Sequence, residues 1–358
     1  MSTSAMPSAA DQNHRSDDGT NAPAAAMDDS WRRWIAENKL LRSTETSMIA
    51  ALTAHGVDER AARDEMRALA EHPYYQGADW VAQRLRKLES LVAVWRSLAA
   101  QSHAAGQVER RSHLSRSEFL ERYYALNRPV ILTDALRDWK ALDFWRPEYL
   151  KRHFGDQQVE IMSDRDSDPR YELESNRHKK TMRFADYVDL VFSGDETNDY
   201  YLAGNNRLFD KPWAARLLDD ITLLPEYLDG RDTSGKMFFW FGPAGTVTPL
   251  HHDVMNILMT QVVGRKRVKL IPASQWPFVY NSIGVYSDVD PERPDDAACP
   301  LFRQATVIDV ELSPGEALFL PVGWWHHVRA LDVSISVTFT NFVFDNRYEW
   351  VNPHIVRR

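Results

Sequence analysis

From Lys236 onward the chain is a series of short apolar runs, MFFWFG, NILMTQVVG, KRVKLIP, ATVIDVEL, EALFLPV and VSISVTFTNF, parted by Gly, Pro and Asp turns. Runs of this length, rich in β-branched and aromatic residues, predict strands, and so many of them predict a barrel or double-sheet jelly roll. Pro129 to Thr133 is a further strand candidate, and Asp186 to Phe192 has a helical pattern. The N-terminal third is helical instead. Asp58 is placed to cap a helix whose apolar face is Ala62, Met66, Leu69 and Ala70 and which Pro73 ends. Val81, Leu85, Leu88, Val92, Trp95 and Ala99 then recur at alternating intervals of four and three. That spacing makes a seam which meets another helix. We read it as internal packing of a small helical domain, with a homodimer seam or a partner-docking face as the alternatives. The first 29 residues have no aromatic residue and no apolar period, so a disordered tail is expected there. The organisation expected is therefore mixed α+β: a tail (1–29), a helical domain (30–105) and a barrel domain (106–358).

Composition narrows the function classes. An apolar fraction of 44%, with 12 Trp, 13 Tyr and 15 Phe in 358 residues, can line a cavity as well as fill a core. The net charge of −8 provides no basic field for a phosphate backbone, so nucleic acid is a disfavoured partner. Cys299 is the single cysteine, and neither an apolar leader nor a membrane-spanning run is present. A soluble cytoplasmic protein is expected.

The candidate chemistry centres on WFGPAGTVTPLHHD, residues 240–253. Residues two apart on a strand share a face, so His251 and Asp253 can hold one ion while His252 faces elsewhere. A third ligand is available in VGWWHHV, where either His326 or His327 could serve. Two imidazoles and one carboxylate leave coordination positions open, the pattern of non-haem Fe(II) sites that activate O2. Zinc takes the same ligand types, but ordinarily in closed tetrahedral sites or with a bound hydroxide. An isolated H-x-D pair is common; here it follows a Gly-Pro turn and precedes strands that return another histidine to the same mouth.

At these residues the chain resembles the JmjC-domain, cupin-like 2-oxoglutarate oxygenases, in particular their hydroxylase branch rather than the chromatin demethylases. The blocks that carry the resemblance are YLAGN, WFGPAGTVTPLHHD, QVVGRKRVKLIP and LSPGEALFLPVGWWHHVRALDVSISVTF. It extends over residues 110–345 in block order and spacing. The resemblance implies a double-stranded β-helix, with Fe(II) held by His251, Asp253 and His326. It also implies that Lys266 pairs with the distal carboxylate of 2-oxoglutarate, with Thr248 and Tyr201 as hydroxyl donors. A buried dianion needs such a cation and such donors. In the last strand Ser334, Ser336, Thr338 and Thr340 alternate with apolar residues, and Thr338 is the expected cosubstrate contact if that face lines the cavity. One position departs from the family pattern. Six residues after the first histidine, many relatives have Asn, whereas this chain has Ile257 with Asn256 one place early.

Trp240, Trp324, Trp325 and Tyr286 are candidate walls of a substrate cleft, with core packing as the alternative. The acidic stretch Tyr280 to Pro300 is either a loop that favours a basic substrate or a solvated connection. The activity these readings imply is 2-oxoglutarate-dependent hydroxylation of a side-chain carbon in a protein or peptide. The alternatives are oxidation of an N-methyl group or a modified tRNA base, and a non-catalytic cupin-fold binding protein.

Overall fold

The computed structural model describes residues 27–102 and 104–352. The expected tail lies outside the described residues except at its end, where Asp28 caps the first helix by accepting from the Ser30 and Trp31 N–H groups. The chain divides into two compact units between Trp95 and Arg96.

The first unit is built on α1 (Asp29–Leu40), α2 (Glu45–Ala54), α3 (Glu59–Glu71) and α4 (Pro73–Ala99). Asp58 caps α3 through the Ala61 N–H, as its sequence position predicts. Trp31, Trp34, Ile35, Leu52, Ala62 and Met66 form the core of the first three helices. The long helix α4 departs from expectation. It contributes no buried residue, and Val81, Leu85, Leu88 and Trp95 are each exposed by half or more of their surface. The seam is thus not internal packing. The ties of α4 to its own bundle are polar: Arg86 donates to the Leu40 carbonyl, and Asp79 pairs with Arg42.

Among the described residues the second unit contains fourteen strands. They are β1 (Glu109–Arg111), β2 (Val130–Leu132), β3 (Gln158–Met162), β4 (Lys179–Arg183), β5 (Met237–Gly242), β6 (Val247–His252) and β7 (Ile257–Val263), followed by β8 (Lys266–Ile271), β9 (Asn281–Ile283), β10 (Tyr286–Ser287), β11 (Ile308–Leu312), β12 (Ala317–Leu320), β13 (Trp325–Ala330) and β14 (Ser334–Phe339). One sheet has the order β1-β2-β12-β7-β14-β5 and the other β11-β8-β13-β6-β10-β9. Strands β5 to β8 alternate between the sheets, as do β11 to β14, while β8 through β11 all lie in one sheet, where β8 and β11 are antiparallel partners. This is the double-sheet jelly roll expected from the strand runs, in the double-stranded β-helix form that the resemblance implies, with β3 and β4 as a separate hairpin.

The polar face of β14 points inward. Ser334 and Ser336 are buried and satisfied by Gln261 on β7. Burying hydroxyls costs little when each finds a partner, and one glutamine supplies both its amide N–H and its carbonyl here.

Candidate metal and cosubstrate site

The site is assembled by strand register. β13 pairs antiparallel with β6 so that His326 lies directly opposite His251, with ring centroids 4.1 Å apart. Asp253 follows β6 by one residue, and its Oδ2 is 3.3 Å from His326 Nε2. Nitrogen and oxygen atoms from His251, Asp253 and His326 lie within 4.8 Å of one another, so one ion could touch all three. His326, rather than His327, joins the set.

The histidines are also oriented for it. The Nδ1 atoms of His251 and His326 sit 2.8 and 3.0 Å from the carbonyls of Pro249 and Trp324. Donation from Nδ1 to a carbonyl fixes the tautomer that leaves Nε2 free as a ligand. Burial, reinforced by the neighbouring His326, lowers the His251 pKa to about 4, so the ring is neutral at physiological pH. Burial works against the Asp253 carboxylate, but the neighbouring histidines hold its pKa below the ordinary value. Both ligands are therefore in their metal-binding protonation states.

Beside the triad is a cavity of about 70 Å³, lined by Tyr201, Trp240, Thr248, Lys266 and Thr338 together with the three candidate ligands. Lys266, at the start of β8, is 3% exposed, and among the described residues its ammonium makes one hydrogen bond, to the Tyr201 hydroxyl at 3.4 Å. Burial lowers its pKa to about 7, with no carboxylate among the described residues pairing with it. Thr338 Oγ1 accepts from Trp240 Nε1 at 3.0 Å, which turns both residues toward the cavity. Two glycines admit the rings. A Cβ on Gly242 would lie 2.6 Å from the Tyr201 ring, and one on Gly204 would lie 2.5 Å from the Trp240 ring.

The ambiguous pair is resolved by the loop after Asp253. Ile257 lines the cavity, with Met259, Leu320 and Val328 completing an apolar wall. Asn256 turns away: it accepts from the Val322 N–H and donates to the Tyr348 hydroxyl, fastening the C-terminal segment. No amide therefore reaches the cavity where many relatives of the family have one.

The substrate-wall assignments fare unequally. Trp240 lines the cavity, whereas Trp324 does not, because its indole is buried and donates to Asn127. Trp325 packs edge-on to His252 in the core. Tyr286 lies outside the cavity lining, with its ring 5.7 Å from that of His251.

Sequence reasoning missed Arg165. Its side chain is fully buried, lies over the Tyr171 and Tyr201 rings, and donates to Glu172 and the Val247 carbonyl. It braces the backbone one residue before Thr248. Nothing in the polar stretch SDRDSDPRYELE distinguishes it from a solvated arginine. On the other face of β6 and β13, the acidic stretch lines a groove of about 940 Å³ with Asp288, Asp290 and Glu292. His327 lines the same groove, buried and without a hydrogen bond among the described residues.

Fold and site together define a double-stranded β-helix protein with a two-histidine, one-carboxylate site and a cationic pocket beside it. Comparison with known families places it further: residues 116–349 match the cupin-like domain family, and the chain belongs to it. Among its relatives is "Lysine-specific demethylase 8" of Xenopus tropicalis, 32% identical over 63% of this chain and 50% of that protein. Two proteins of Arabidopsis thaliana are also similar. "Lysine-specific demethylase JMJ30" is 32% identical over 69% of this chain and 57% of its own length, and "Arginine-specific demethylase JMJ20" is 28% identical over 70% and 58%. The chain thus spans little more than half the length of these relatives. No helix among the described residues is long and apolar enough to cross a membrane.

Proposed function

We propose that this chain is an Fe(II)- and 2-oxoglutarate-dependent oxygenase that hydroxylates a side-chain carbon of a protein or peptide. The observation that carries the reading is Lys266. A buried ammonium with no carboxylate partner is costly, and it shares one small cavity with a three-ligand metal set. A dianionic cosubstrate would satisfy it. The donor set fits the metal: two imidazoles whose Nδ1 atoms rest on backbone carbonyls and one carboxylate suit Fe(II) and leave positions for cosubstrate and O2. When bound, the iron supplies the oxidising chemistry, with succinate and CO2 as co-products.

The residues around it have simpler tasks. His251, Asp253 and His326 hold the metal on one side. Lys266, with the Tyr201 and Thr248 hydroxyls, fixes the distal carboxylate of 2-oxoglutarate, and Thr338 with Trp240 closes the adjoining wall. Ile257 offers no hydrogen bond, so this chain holds its cosubstrate with one polar contact fewer. The apolar wall of Met259, Leu320 and Val328 keeps water from the reacting centre. The groove bearing Asp288, Asp290 and Glu292 favours a basic stretch of polypeptide. The names of the relatives favour a second reading, oxidation of an N-methyl carbon, which uses the same carbon–hydrogen step.

The test is to incubate the protein with Fe(II), ascorbate and 2-oxoglutarate, with and without unmodified and methylated basic peptides. Succinate formation with a mass gain of one oxygen supports hydroxylation; loss of a methylene with release of formaldehyde supports the second reading. Metal binding without succinate for any substrate class would instead favour a binding protein.

A further inference from the structure

We infer that α4 is a self-association element: two copies of the chain pair along it, side by side and in the same direction. The helix is 27 residues long, about 40 Å at the usual rise, and buries none of them. Among its exposed apolar residues are Val81, Leu88 and Trp95, which form one row, and Leu85, which with Ala99 and the part-buried Val92 forms the other, in an uninterrupted four-three repeat; exposed Leu91 and Leu98 flank these rows. A repeat averaging 3.5 residues matches a straight helix imperfectly, but it matches two helices supercoiled about each other, so the cover it fits is another long helix. A large exposed apolar patch on a folded protein marks a contact surface.

A second copy meets these requirements. It brings a helix of equal length with the same two rows, and an isologous contact closes at two chains without leaving a row uncovered. The flanking charges are complementary in the same sense. Arg84 precedes the Leu85 row by one residue, and Glu89 follows the Leu88 row by one. In a parallel pair, each arginine faces the glutamate of the other copy, one step further along the seam, giving two equivalent ion pairs. Within the chain Glu89 has no ion pair among the described residues, and Arg84 only lies over the Trp80 ring. The tie from Arg86 to Leu40 attaches α4 to its own bundle away from these rows. The area is adequate as well. If Val81, Leu85, Leu88, Leu91, Trp95 and Leu98, the exposed apolar residues on or beside the two rows, each lose about 80 Å², the pair buries on the order of 1,000 Å² in total, at the lower bound for a specific interface.

The experiment uses the full chain. Light scattering at tens of micromolar should give a mass twice the 41.3 kDa of one chain. Leu88→Glu should give the single-chain mass, with unchanged far-ultraviolet helicity showing that the helix itself still forms. Arg84→Glu alone and Glu89→Arg alone should each weaken association several-fold, and the double exchange should restore it. A single-chain mass for the unaltered protein, or a Leu88→Glu variant that still pairs, would overturn the proposal. A double exchange as weak as either single change would overturn the parallel arrangement.

Discussion

The two units treat polarity in opposite ways. In the helical unit α4 leaves apolar rows uncovered and ties itself down with exposed arginines and aspartates. In the barrel unit the side chains of Arg165 and Lys266 are nearly inaccessible to solvent. The first pattern is inexpensive within one chain and marks a surface that another helix can cover. The second is expensive, because each buried charge gives up its hydration. That cost is tolerated where a bound group repays it, so the more informative site is the one that looks less stable.

Removing the metal set should break the contrast most strongly. Asp253→Ala or His251→Ala should weaken Fe(II) binding by ~100-fold or more, since even indirect support of a ligand is worth 10–100-fold, and calorimetry with a divalent cation measures it. Next comes Lys266→Met. It should raise the apparent Kd for 2-oxoglutarate by roughly 100-fold, a loss of about 3 kcal/mol from a desolvated charge pair. The same change should raise the thermal midpoint of the cosubstrate-free protein, because it removes an unpaired buried cation. A midpoint that falls would show that Lys266 is already satisfied without an anion.

pH sharpens the same point. With its pKa lowered to about 7, Lys266 is mostly neutral above that value, so binding a dianion must draw in a proton. Affinity for 2-oxoglutarate should therefore fall as pH rises above 7, with proton uptake detected by calorimetry in buffers of different ionisation enthalpy. The stability effect follows from a depressed folded pKa. The lysine's contribution to stability is fully present above its unfolded pKa near 10.4 and is lost as pH falls through about 7, and Lys266→Met should remove that dependence.

A smaller effect is expected from Gly242→Ala. The added methyl overlaps the Tyr201 ring, so stability should drop by about 1–3 kcal/mol and 2-oxoglutarate should bind less tightly, as denaturant titration and calorimetry would measure. The smallest concerns α4. Leu88→Glu should leave the metal and 2-oxoglutarate affinities unchanged, and any shift in thermal midpoint should vanish on dilution.

Local pattern carried much of this in the sequence. The strand runs give the barrel, and the two-residue period puts His251 and Asp253 on one face and His252 on the other. Asp58 as a cap and the four-three rows of α4 are equally local, since each depends on side-chain direction within one element. Lys266, Thr248 and Tyr201 were legible through family resemblance rather than through any local rule, whereas Thr338 followed from the alternation of the last strand.

What the sequence could not determine were relations between elements. Neighbouring histidines at 326 and 327 have the same composition and context; the register of β13 against β6 sends one to the metal set and the other to the outer groove. Which of Asn256 and Ile257 faces the cavity was open along the chain, and the loop after Asp253 decides it by bringing Ile257 into β7 facing inward. Trp324 and Trp240 are equally aromatic, yet one satisfies its indole on Asn127 and the other on Thr338. Arg165 looks like a surface residue until Tyr171, Tyr201 and Glu172 enclose it. The repeat in α4 announces a seam but not its occupant. Periodicity within an element follows from backbone geometry and can be read along the chain, whereas burial and partnership arise from contacts between distant residues and exist only after the chain has folded.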